Sequence, residues 1–189
     1  MIYPIVAYGD PVLRRQAEEI GSDYPDLKQL VADMFETMEH AGGVGLAAPQ
    51  IGLSIKLIVV DATPFASEDP AAGGFRKALL NPEIYAQEGE EWAFNEGCLS
   101  FPGLHEDVYR PSVVHIRYMD ETGLAHDEVY DGYVARVLQH ECDHLNGKTF
   151  VDHLSPLRKA LLRRKLDCIA KGAVSADYKM KFVGKPKHR

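Results

Sequence analysis

The five residues from His140 to His144 constrain the fold of this chain more than any other feature of its sequence. They read His-Glu-Cys-Asp-His. On an α-helix, positions four apart differ by about 40° around the axis and by one turn along it, so both imidazoles face the same point. Glu141 lies on that side too, whereas Cys142 lies on the opposite side and is expected to pack in the core. The pattern predicts a helix that carries half of a metal site; the alternative is a helix with two structural histidines.

The residues that flank this motif are typical of an α-helix. Asp131 is placed to cap its start, and Gly147 is placed to close its end. Between them, Val134, Val137 and Leu138 recur at helical spacing and predict a buried face. We therefore expect the core to hold the motif in place.

A catalytic metal site of this kind uses three protein ligands and keeps one position open, so a third ligand is required. Downstream, Glu141 is the last glutamate of the chain, and Phe150 stands where longer metalloprotease motifs carry a histidine. His153 remains a downstream candidate. Upstream, Cys98 lies in the segment Glu96–Ser100, where the preceding glycine indicates a constrained loop. The residues alone therefore do not decide between His153 and Cys98 as the third ligand.

The composition indicates one domain. The chain has 189 residues, of which 46% are hydrophobic and 26% charged, and this is enough to bury a core. We place a catalytic domain at residues 1–172 and a basic, flexible tail at residues 173–189. The N-terminus lacks the basic and apolar regions of a signal peptide, and the longest aliphatic run, Leu57–Val60, is too short to cross a membrane, so we expect a cytoplasmic protein. Three cysteines fit reduced thiols better than disulfides.

Charge is distributed unevenly along the chain. Residues 155–189 contain 11 of the 21 Lys and Arg residues and two of the 28 Asp and Glu residues. The C-terminal arm therefore has a net charge of +9 and the rest of the chain −16, within a total of −7. Such an arm suggests a polyanionic partner, and a solvated helix face explains the same charges equally well. Leu157, Leu161 and Leu162 are expected on the apolar side of a helix in this arm.

Hydrophobic periodicity predicts the remaining elements. Residues 24–40 read as an amphipathic helix capped by Ser22 or Asp23, and another helix starts at Ser155–Pro156. Residues 62–77 are rich in Pro and Gly and are expected to form an exposed loop. The expected strands are 55–60, 78–85, 112–118 and 124–130. The turn sequence between the last two strands predicts a hairpin.

Three segments taken together make the chain resemble a known family. They are Gly43-Val44-Gly45-Leu46-Ala47-Ala48-Pro49-Gln50, Glu96-Gly97-Cys98-Leu99-Ser100 and Gln139-His140-Glu141-Cys142-Asp143-His144. In this order and at this spacing they look like the signature segments of the bacterial and organellar peptide deformylases. The resemblance runs from about residue 3 to about residue 167 and is far more specific than any single segment.

The resemblance implies a metal-dependent hydrolase that removes the N-formyl group from the initiator methionine of nascent polypeptides and releases formate. It implies that Cys98, His140 and His144 are the metal ligands. A water activated by the metal would attack the formyl carbon, and Glu141 would act as general base and then as general acid.

The resemblance also implies further contacts. The Gln50 side chain and the Leu99 N–H would stabilise the oxyanion. Apart from the resemblance, we expect Asp143 to pair with Arg110, either as a contact that supports the metal ligands or as a surface ion pair, and we favour the first. Consistent with the family, the backbone of Val44, Gly45 and Leu46, after Gly43, is expected to pair with an extended substrate peptide. Tyr133 and Val137 share the helix face of His140 and are candidates for a methionine pocket; core packing is the alternative for both. His105 departs from the family pattern, because a common bacterial form carries an arginine there; this puts peptide affinity through that loop in question.

The expected architecture is α+β, with small antiparallel or mixed sheets packed around a central metal-binding helix and with an N-terminal and a C-terminal helix. The resemblance favours Fe(II) as the ion, and thiolate with imidazole also accepts Zn, Ni or Co. We expect the basic C-terminal helix to contact ribosomal RNA, because the substrates emerge from the ribosome. Two alternatives remain: a metallopeptidase with His153 as third ligand, and a homologue that binds peptides without catalysis.

Overall fold

The structure is a computed structural model and describes residues 1–183. Over this part of the chain it contains helices, an antiparallel sheet and a small parallel sheet, and the expected α+β fold is confirmed. In chain order the elements are β1 (Ile5–Val6), α1 (Leu27–His40), β2 (Gly45–Ala47), β3 (Leu57–Asp61), β4 (Arg76–Gly97), β5 (His105–Met119), β6 (Ala125–Asp131), α2 (Gly132–Leu145), α3 (Pro156–Ala170) and β7 (Met180–Lys181).

A five-stranded antiparallel sheet organises the molecule. Its order is β2-β3-β4-β5-β6, so each strand pairs with its neighbour in sequence and β2 lies at one edge. The pairing of β4 with β5 reaches Gly97 and His105. The predicted hairpin of β5 and β6 is confirmed, and β1 and β7 form a separate parallel pair. Because β4 ends at Gly97, it places Cys98 at the end of the sheet.

Helix α2 packs on this sheet through the face that the sequence predicts. Val134 and Leu138 of α2 share one buried cluster with Ile58 of β3 and Ile116 of β5. Cys142 lies in the same cluster, as expected for a thiol that points away from the metal. Burial of this face fixes the rotation of the helix about its axis and therefore the direction of its polar side chains.

Strands β4 and β5 extend far beyond the predicted ranges 78–85 and 112–118. Their backbones pair almost continuously, with register shifts between Leu80 and Glu83 and again between Glu88 and Glu91. Residues 87–91 are exposed on both faces, so they show no alternation of apolar and polar residues. Hydrophobic periodicity does not detect a strand of this kind, because backbone pairing alone maintains it.

The start of α1 also differs from the prediction. The helix begins at Leu27, and its N-cap is Asp26 rather than Ser22 or Asp23. Asp26 has a φ of 54°, in the left-handed region that a right-handed helix excludes. The expected first turn at residues 24–26 is therefore a separate turn.

The loop between β3 and β4 caps the start of α2. Asp131 makes no side-chain cap; instead the Tyr133 N–H donates to Asp69 Oδ2 at 3.1 Å. The loop carries short 3-10 turns at Thr63–Phe65 and Pro70–Ala72. The expected exposed loop is thus tied to α2, and a residue distant in sequence supplies the cap that local spacing assigned to Asp131.

The C-terminal helix starts where the sequence predicts, because the Ser155 Oγ accepts a hydrogen bond from the Arg158 N–H at 3.2 Å. Leu162 is buried, but Leu157 and Leu161 are 72% and 66% exposed. The prediction therefore included two leucines that do not belong to the buried side of α3. No helix within residues 1–183 combines the length and the apolar character needed to span a membrane.

The expected flexible tail at residues 173–189 divides into two parts. Met180–Lys181 forms β7 and pairs with β1, so this part of the tail is a strand. Residues 184–189 lie outside the described residues. The β1–β7 pair brings the C-terminal segment back to the start of the chain.

Candidate metal centre

The structure brings Cys98, His140 and His144 together. One ligand atom from each lies within 4.8 Å of the others, and the Cys98 Sγ is 3.3 Å from the His144 Nε2. Within residues 1–183 this is the one group of three or more His, Cys, Asp or Glu side chains that could hold a metal ion. A thiolate with two imidazoles suits a divalent ion such as zinc or iron(II). The residues present therefore fit the metal that the sequence predicts.

Glu96 fixes the ring of His140. Its Oε2 is 2.9 Å from the His140 Nδ1, which leaves the Nε2 of that ring to face the ligand group. The Arg110 Nε and the Arg136 Nη1 donate to Glu96 Oε1 at 2.7 and 3.0 Å. Burial by itself would raise the pKa of Glu96, but the hydrogen bonds from His140 and Arg110 outweigh it and hold the pKa well below its ordinary value. Glu96 is thus a buried carboxylate surrounded by donors.

Sequence reasoning missed Glu96 and Arg136. A signal for Glu96 was present, because it stands two residues before Cys98 in one of the three signature segments. Arg136 lies one turn before His140 on the metal-binding helix, but nothing in the sequence shows that its guanidinium is 2% exposed and paired with an acid.

The predicted pair of Asp143 and Arg110 is present. The Arg110 Nη1 donates to the Asp143 Oδ2 at 2.7 Å, and the His153 Nε2 lies 2.7 Å from the same oxygen. Burial opposes ionisation of Asp143, but His153 and Arg110 lower its pKa overall. His153 therefore contacts an acid beside the site, and it does not belong to the ligand group.

Glu141 is buried next to the ligands. It is 4% exposed, and its Oε2 has no hydrogen-bond partner within the described part of the chain. Burial raises its pKa to about 7; the charge of His140 opposes this shift and the Glu96 carboxylate adds to it. A Cβ at Gly45 would lie 2.4 Å from the Glu141 Oε1. The glycine thus lets β2 approach a carboxylate that can exchange a proton near neutral pH.

The Gln50 side chain has a defined orientation. Its Oε1 accepts a hydrogen bond from the Ala47 N–H at 2.8 Å, so its Nε2 points the other way. That nitrogen lies 3.4 Å from the Cys98 Sγ and 3.4 Å from the Ser100 Oγ. The amide group therefore presents N–H donors beside the thiol, as an oxyanion contact requires.

A cavity of about 400 Å³ opens beside these residues. Its walls include Gly43, Val44, Gly45, Tyr133 and Val137 among the residues predicted to bind substrate. Leu46, also predicted, is fully buried and is not among the lining residues. The cavity therefore has an apolar wall next to the Cys/His/His group, as a site for an apolar side chain requires.

Further lining residues were not foreseen. Phe65, from the loop between β3 and β4, stacks on Tyr133 with ring centroids 4.6 Å apart, and Phe94 of β4 meets the same ring edge-on at 5.6 Å. Tyr178, near the C-terminus, also lines the cavity. These residues are far apart in sequence, and no motif links them to the site.

A thiol, two imidazoles and a buried carboxylate beside a cavity define a class of protein, the hydrolases that use a divalent metal ion to activate water. The sequence model of the family described as polypeptide deformylase matches residues 2–160. The chain belongs to this family. It is therefore an enzyme that depends on a metal and removes the N-formyl group from nascent polypeptides.

Several peptide deformylases are similar to this chain over most of its length. The peptide deformylase of Flavobacterium johnsoniae is 50% identical over 196 aligned positions, which cover 100% of both chains. That of Cytophaga hutchinsonii is 52% identical over 182 positions, covering 96% of this chain and 98% of the relative. The crystal structure of peptide deformylase from Thermus thermophilus matches with a TM-score of 0.80 at 43% identity, covering 92% of this chain and 100% of that chain.

Proposed function

We propose that Cys98, His140 and His144 hold one divalent ion and that Glu141 transfers the protons of deformylation. The observation that carries this proposal is the convergence of the three ligand atoms within 4.8 Å of one another. Cys98 reaches the site from the end of β4, whereas both histidines come from one turn of α2. Asp143, Arg110 and Glu96 would orient the ligands through the contacts described above.

A divalent ion held there would polarise the formyl carbonyl and lower the pKa of water toward neutrality. Glu141 would accept the proton of the attacking water and return it to the departing amine nitrogen. Burial of Glu141 excludes bulk water from the transfer.

The developing negative charge on the formyl oxygen requires donors of fixed direction. The Gln50 Nε2 and the Leu99 N–H are our candidates, and each would lower the barrier by about 3–4 kcal/mol if it is already aligned. The Ala47 N–H fixes the first donor by holding Gln50 Oε1. The two donors reach the site from the residues after β2 and after β4.

We further propose that the substrate peptide pairs with the free edge of β2. Among the described residues 1–183 this strand pairs with β3 on one side only, and an edge strand offers N–H and C=O groups to an added extended peptide. Tyr133, Val137 and Val44 would enclose the methionine side chain. His105 lines the cavity at the end of the β4–β5 pairing that adjoins Cys98. It would contact residues that follow the methionine.

Formate release from a formyl-Met peptide is the decisive experiment. A metal-loaded protein that binds the peptide and releases no formate would establish the alternative of a non-catalytic homologue. Metal content of Cys98→Ala and His153→Ala, measured side by side, tests the ligand set. We expect the first substitution to lose the ion and the second to retain it; the reverse result would favour the metallopeptidase alternative.

Fe(II) is the ion we propose for the enzyme in the cell, with Zn, Ni or Co as replacements in purified protein. An iron-bound thiolate at Cys98 is exposed to oxidation. Air should therefore inactivate the iron form faster than a zinc form of the same protein. Equal loss of formate release in both forms would contradict this assignment.

We propose residues 1–172 as the catalytic domain of a cytoplasmic enzyme and α3 as the surface that contacts ribosomal RNA. Arg163 and Arg164 are exposed on α3. Other basic residues of α3 serve the protein itself: Arg158 pairs with Glu106 at 2.6 Å and the Lys165 Nζ donates to the Gly103 carbonyl at 2.6 Å. The free part of the basic face is therefore narrower than the sequence suggested.

Cosedimentation with ribosomes at increasing salt tests this surface. A double substitution of Arg163 and Arg164 to glutamate should weaken binding and flatten its salt dependence, because fewer phosphates are neutralised. Arg117→Glu, on the distant hairpin, is the matched control. Binding of wild-type protein that does not change with salt would contradict the proposal.

A further inference from the structure

The turn that follows β4 carries the proposed ligand Cys98 and the proposed donor Leu99. The Phe101 N–H donates to the Cys98 carbonyl at 2.8 Å, so Leu99 and Ser100 are the two central residues of a four-residue turn. Turns of types I and II share this closing bond and differ by a flip of the peptide plane between the central residues. The closing bond alone therefore does not fix the plane between Leu99 and Ser100.

The carbonyl groups of the first three residues of this turn each accept a hydrogen bond from a different donor. The Cys98 carbonyl accepts from Phe101, and the Ser100 carbonyl accepts from the Tyr8 N–H at 2.9 Å. The Leu99 carbonyl accepts from the Tyr178 hydroxyl at 2.8 Å. The bond from Tyr178 is the one that acts on the central plane, and among the three it alone comes from a side chain.

The two donors from outside the turn, the Tyr8 N–H and the Tyr178 hydroxyl, lie next to the β1–β7 pair. The Ile5 N–H donates to the Lys179 carbonyl at 2.8 Å, and the Ala7 N–H donates to the Lys181 carbonyl at 2.9 Å. Tyr8 closely follows β1, and Tyr178 closely precedes β7. This small sheet therefore fixes the turn through both of its strands, and Tyr178 lies beyond residues 2–160, which the family's sequence model matches.

The same turn governs both proposed oxyanion donors. Leu99 supplies one donor through its N–H, and the Ser100 Oγ lies 3.4 Å from the Nε2 of Gln50. Ser100 is fully buried, so its hydroxyl follows the backbone of the turn. The Leu99 N–H belongs to the preceding peptide, which meets the plane held by Tyr178 at the Leu99 Cα. A change in that plane would therefore disturb the backbone that carries the Leu99 N–H, and it would shift Ser100 beside the Gln50 amide.

We propose that Tyr178 is a positioning residue for deformylation. Its hydroxyl holds the Leu99 carbonyl, and through it the turn that aligns the Leu99 N–H and the Gln50 amide. The C-terminal segment, which lies beyond the proposed catalytic domain of residues 1–172, thereby supports a turn of that domain and supplies no group that touches the reacting atoms. The inference rests on the proposed oxyanion roles of Leu99 and Gln50.

Tyr178→Phe in the full-length, zinc-loaded enzyme tests the proposal, because it deletes the hydroxyl and keeps the ring. We expect kcat for formate release from a formyl-Met peptide to fall about three- to tenfold, the effect of one lost hydrogen bond, with KM within about twofold of wild type. Amide hydrogen exchange at Leu99 and Ser100, followed by NMR, should become faster. Metal content should not change.

Tyr85→Phe is the matched control, since the Tyr85 hydroxyl donates to the Asp127 Oδ1 at 2.7 Å on the distant part of the sheet. It should leave kcat and the exchange of Leu99 and Ser100 as in wild type. A Tyr178→Phe enzyme with wild-type kcat and wild-type exchange would overturn the proposal. A rise in KM alone would also overturn it, because Tyr178 would then be only a wall of the cavity.

A Gln50→Ala variant separates this inference from the function on which it rests. If Gln50→Ala keeps the wild-type kcat, the oxyanion assignment itself is wrong, and the role of Tyr178 falls with it. If Gln50→Ala is slow while Tyr178→Phe is not, the oxyanion assignment stands and only the role of Tyr178 is wrong.

Discussion

The two sides of the candidate site are held in place by different kinds of interaction. On the helix side, which comprises His140, Glu141 and His144, the supporting contacts are charged: Glu96 and Asp143 pair with Arg110 inside the protein. On the turn side, which comprises residues 98–101, the supporting contacts are neutral hydrogen bonds to backbone carbonyls. Loss of one partner from a buried charged pair leaves the other charge buried without a partner, whereas loss of one neutral hydrogen bond allows only local movement. We therefore expect loss of a charged supporting contact on the helix side to destabilise the whole fold, and loss of a supporting hydrogen bond on the turn side to be graded and confined to kcat.

The largest effect is expected from Glu141→Gln, which removes the proton acceptor from the helix side and keeps its shape. Formate release should fall by about 10²–10⁴-fold. Metal content and melting temperature should stay close to wild type, because the Glu141 Oε2 has no hydrogen-bond partner within residues 1–183. A variant that keeps more than a tenth of the wild-type kcat would show that another group moves the proton.

Gln50 lies beside the turn side, and Gln50→Ala should lower kcat by about 10²–10³-fold, the usual effect of one lost oxyanion donor. KM for the formyl-Met peptide should change little, because the donor acts on charge that develops only in the transition state. Steady-state kinetics at several peptide concentrations measure both constants. A change in KM without a change in kcat would assign Gln50 to peptide binding.

Glu96→Gln tests the charged network directly. It leaves Arg110 and Arg136, which are 4% and 2% exposed, without their shared carboxylate, and should cost about 3–5 kcal/mol of unfolding free energy. Metal affinity should fall by about 10–100-fold, because the His140 ring loses its charged acceptor and the amide oxygen of glutamine is a weaker one. Urea denaturation and metal titration measure the two effects.

The matched control for Glu96→Gln is Arg117→Gln, which breaks an exposed pair with Asp127 at 2.9 Å. We expect no measurable change in its urea midpoint, because water screens such a pair. Equal destabilisation by the two substitutions would remove the contrast between buried and exposed charges on which the comparison depends.

The smallest effect concerns the pH dependence of stability. The pKa of Glu96 is lower in the folded chain than its ordinary value of 4.5, so the folded state binds fewer protons at this group than the unfolded state. Its contribution to stability is therefore complete above pH 4.5 and is lost as the pH falls toward the folded pKa. Unfolding free energy measured from about pH 6 downward should fall less steeply in Glu96→Gln than in wild type; parallel curves would contradict the pKa shift.

Local spacing was sufficient for much of the site. His140, Glu141 and His144 lie within about one helical turn, so their common direction follows from helix geometry alone. The rotation of α2 also follows from sequence, because the apolar positions at Val134 and Leu138 determine which face is buried. The hairpin of β5 and β6 was readable for the same reason, since its turn and both flanking strands are contiguous in the chain.

Other contacts could not be predicted from the sequence, because they join residues that are far apart along the chain. Asp69 caps a helix 64 positions further on, and Phe65 stacks on a residue of that helix. The long β4 was missed because its middle is exposed on both faces, so its pairing leaves no hydrophobic pattern. In each case the interaction depends on the path of the backbone in space.

By itself, the sequence determined the α+β class, the metal-binding helix and, through its signature segments, the family. Only the tertiary structure decided which nitrogen of His140 is held by Glu96, how the buried acids and arginines neutralise one another and how Tyr178 reaches the Leu99 carbonyl. The physical reason is the range of the interactions. Helix periodicity and turn preferences act over a few consecutive residues, so they can be recognised in a short stretch of sequence. Ion pairs and side-chain hydrogen bonds act over a few ångströms in space, and only the folded chain brings their partners that close.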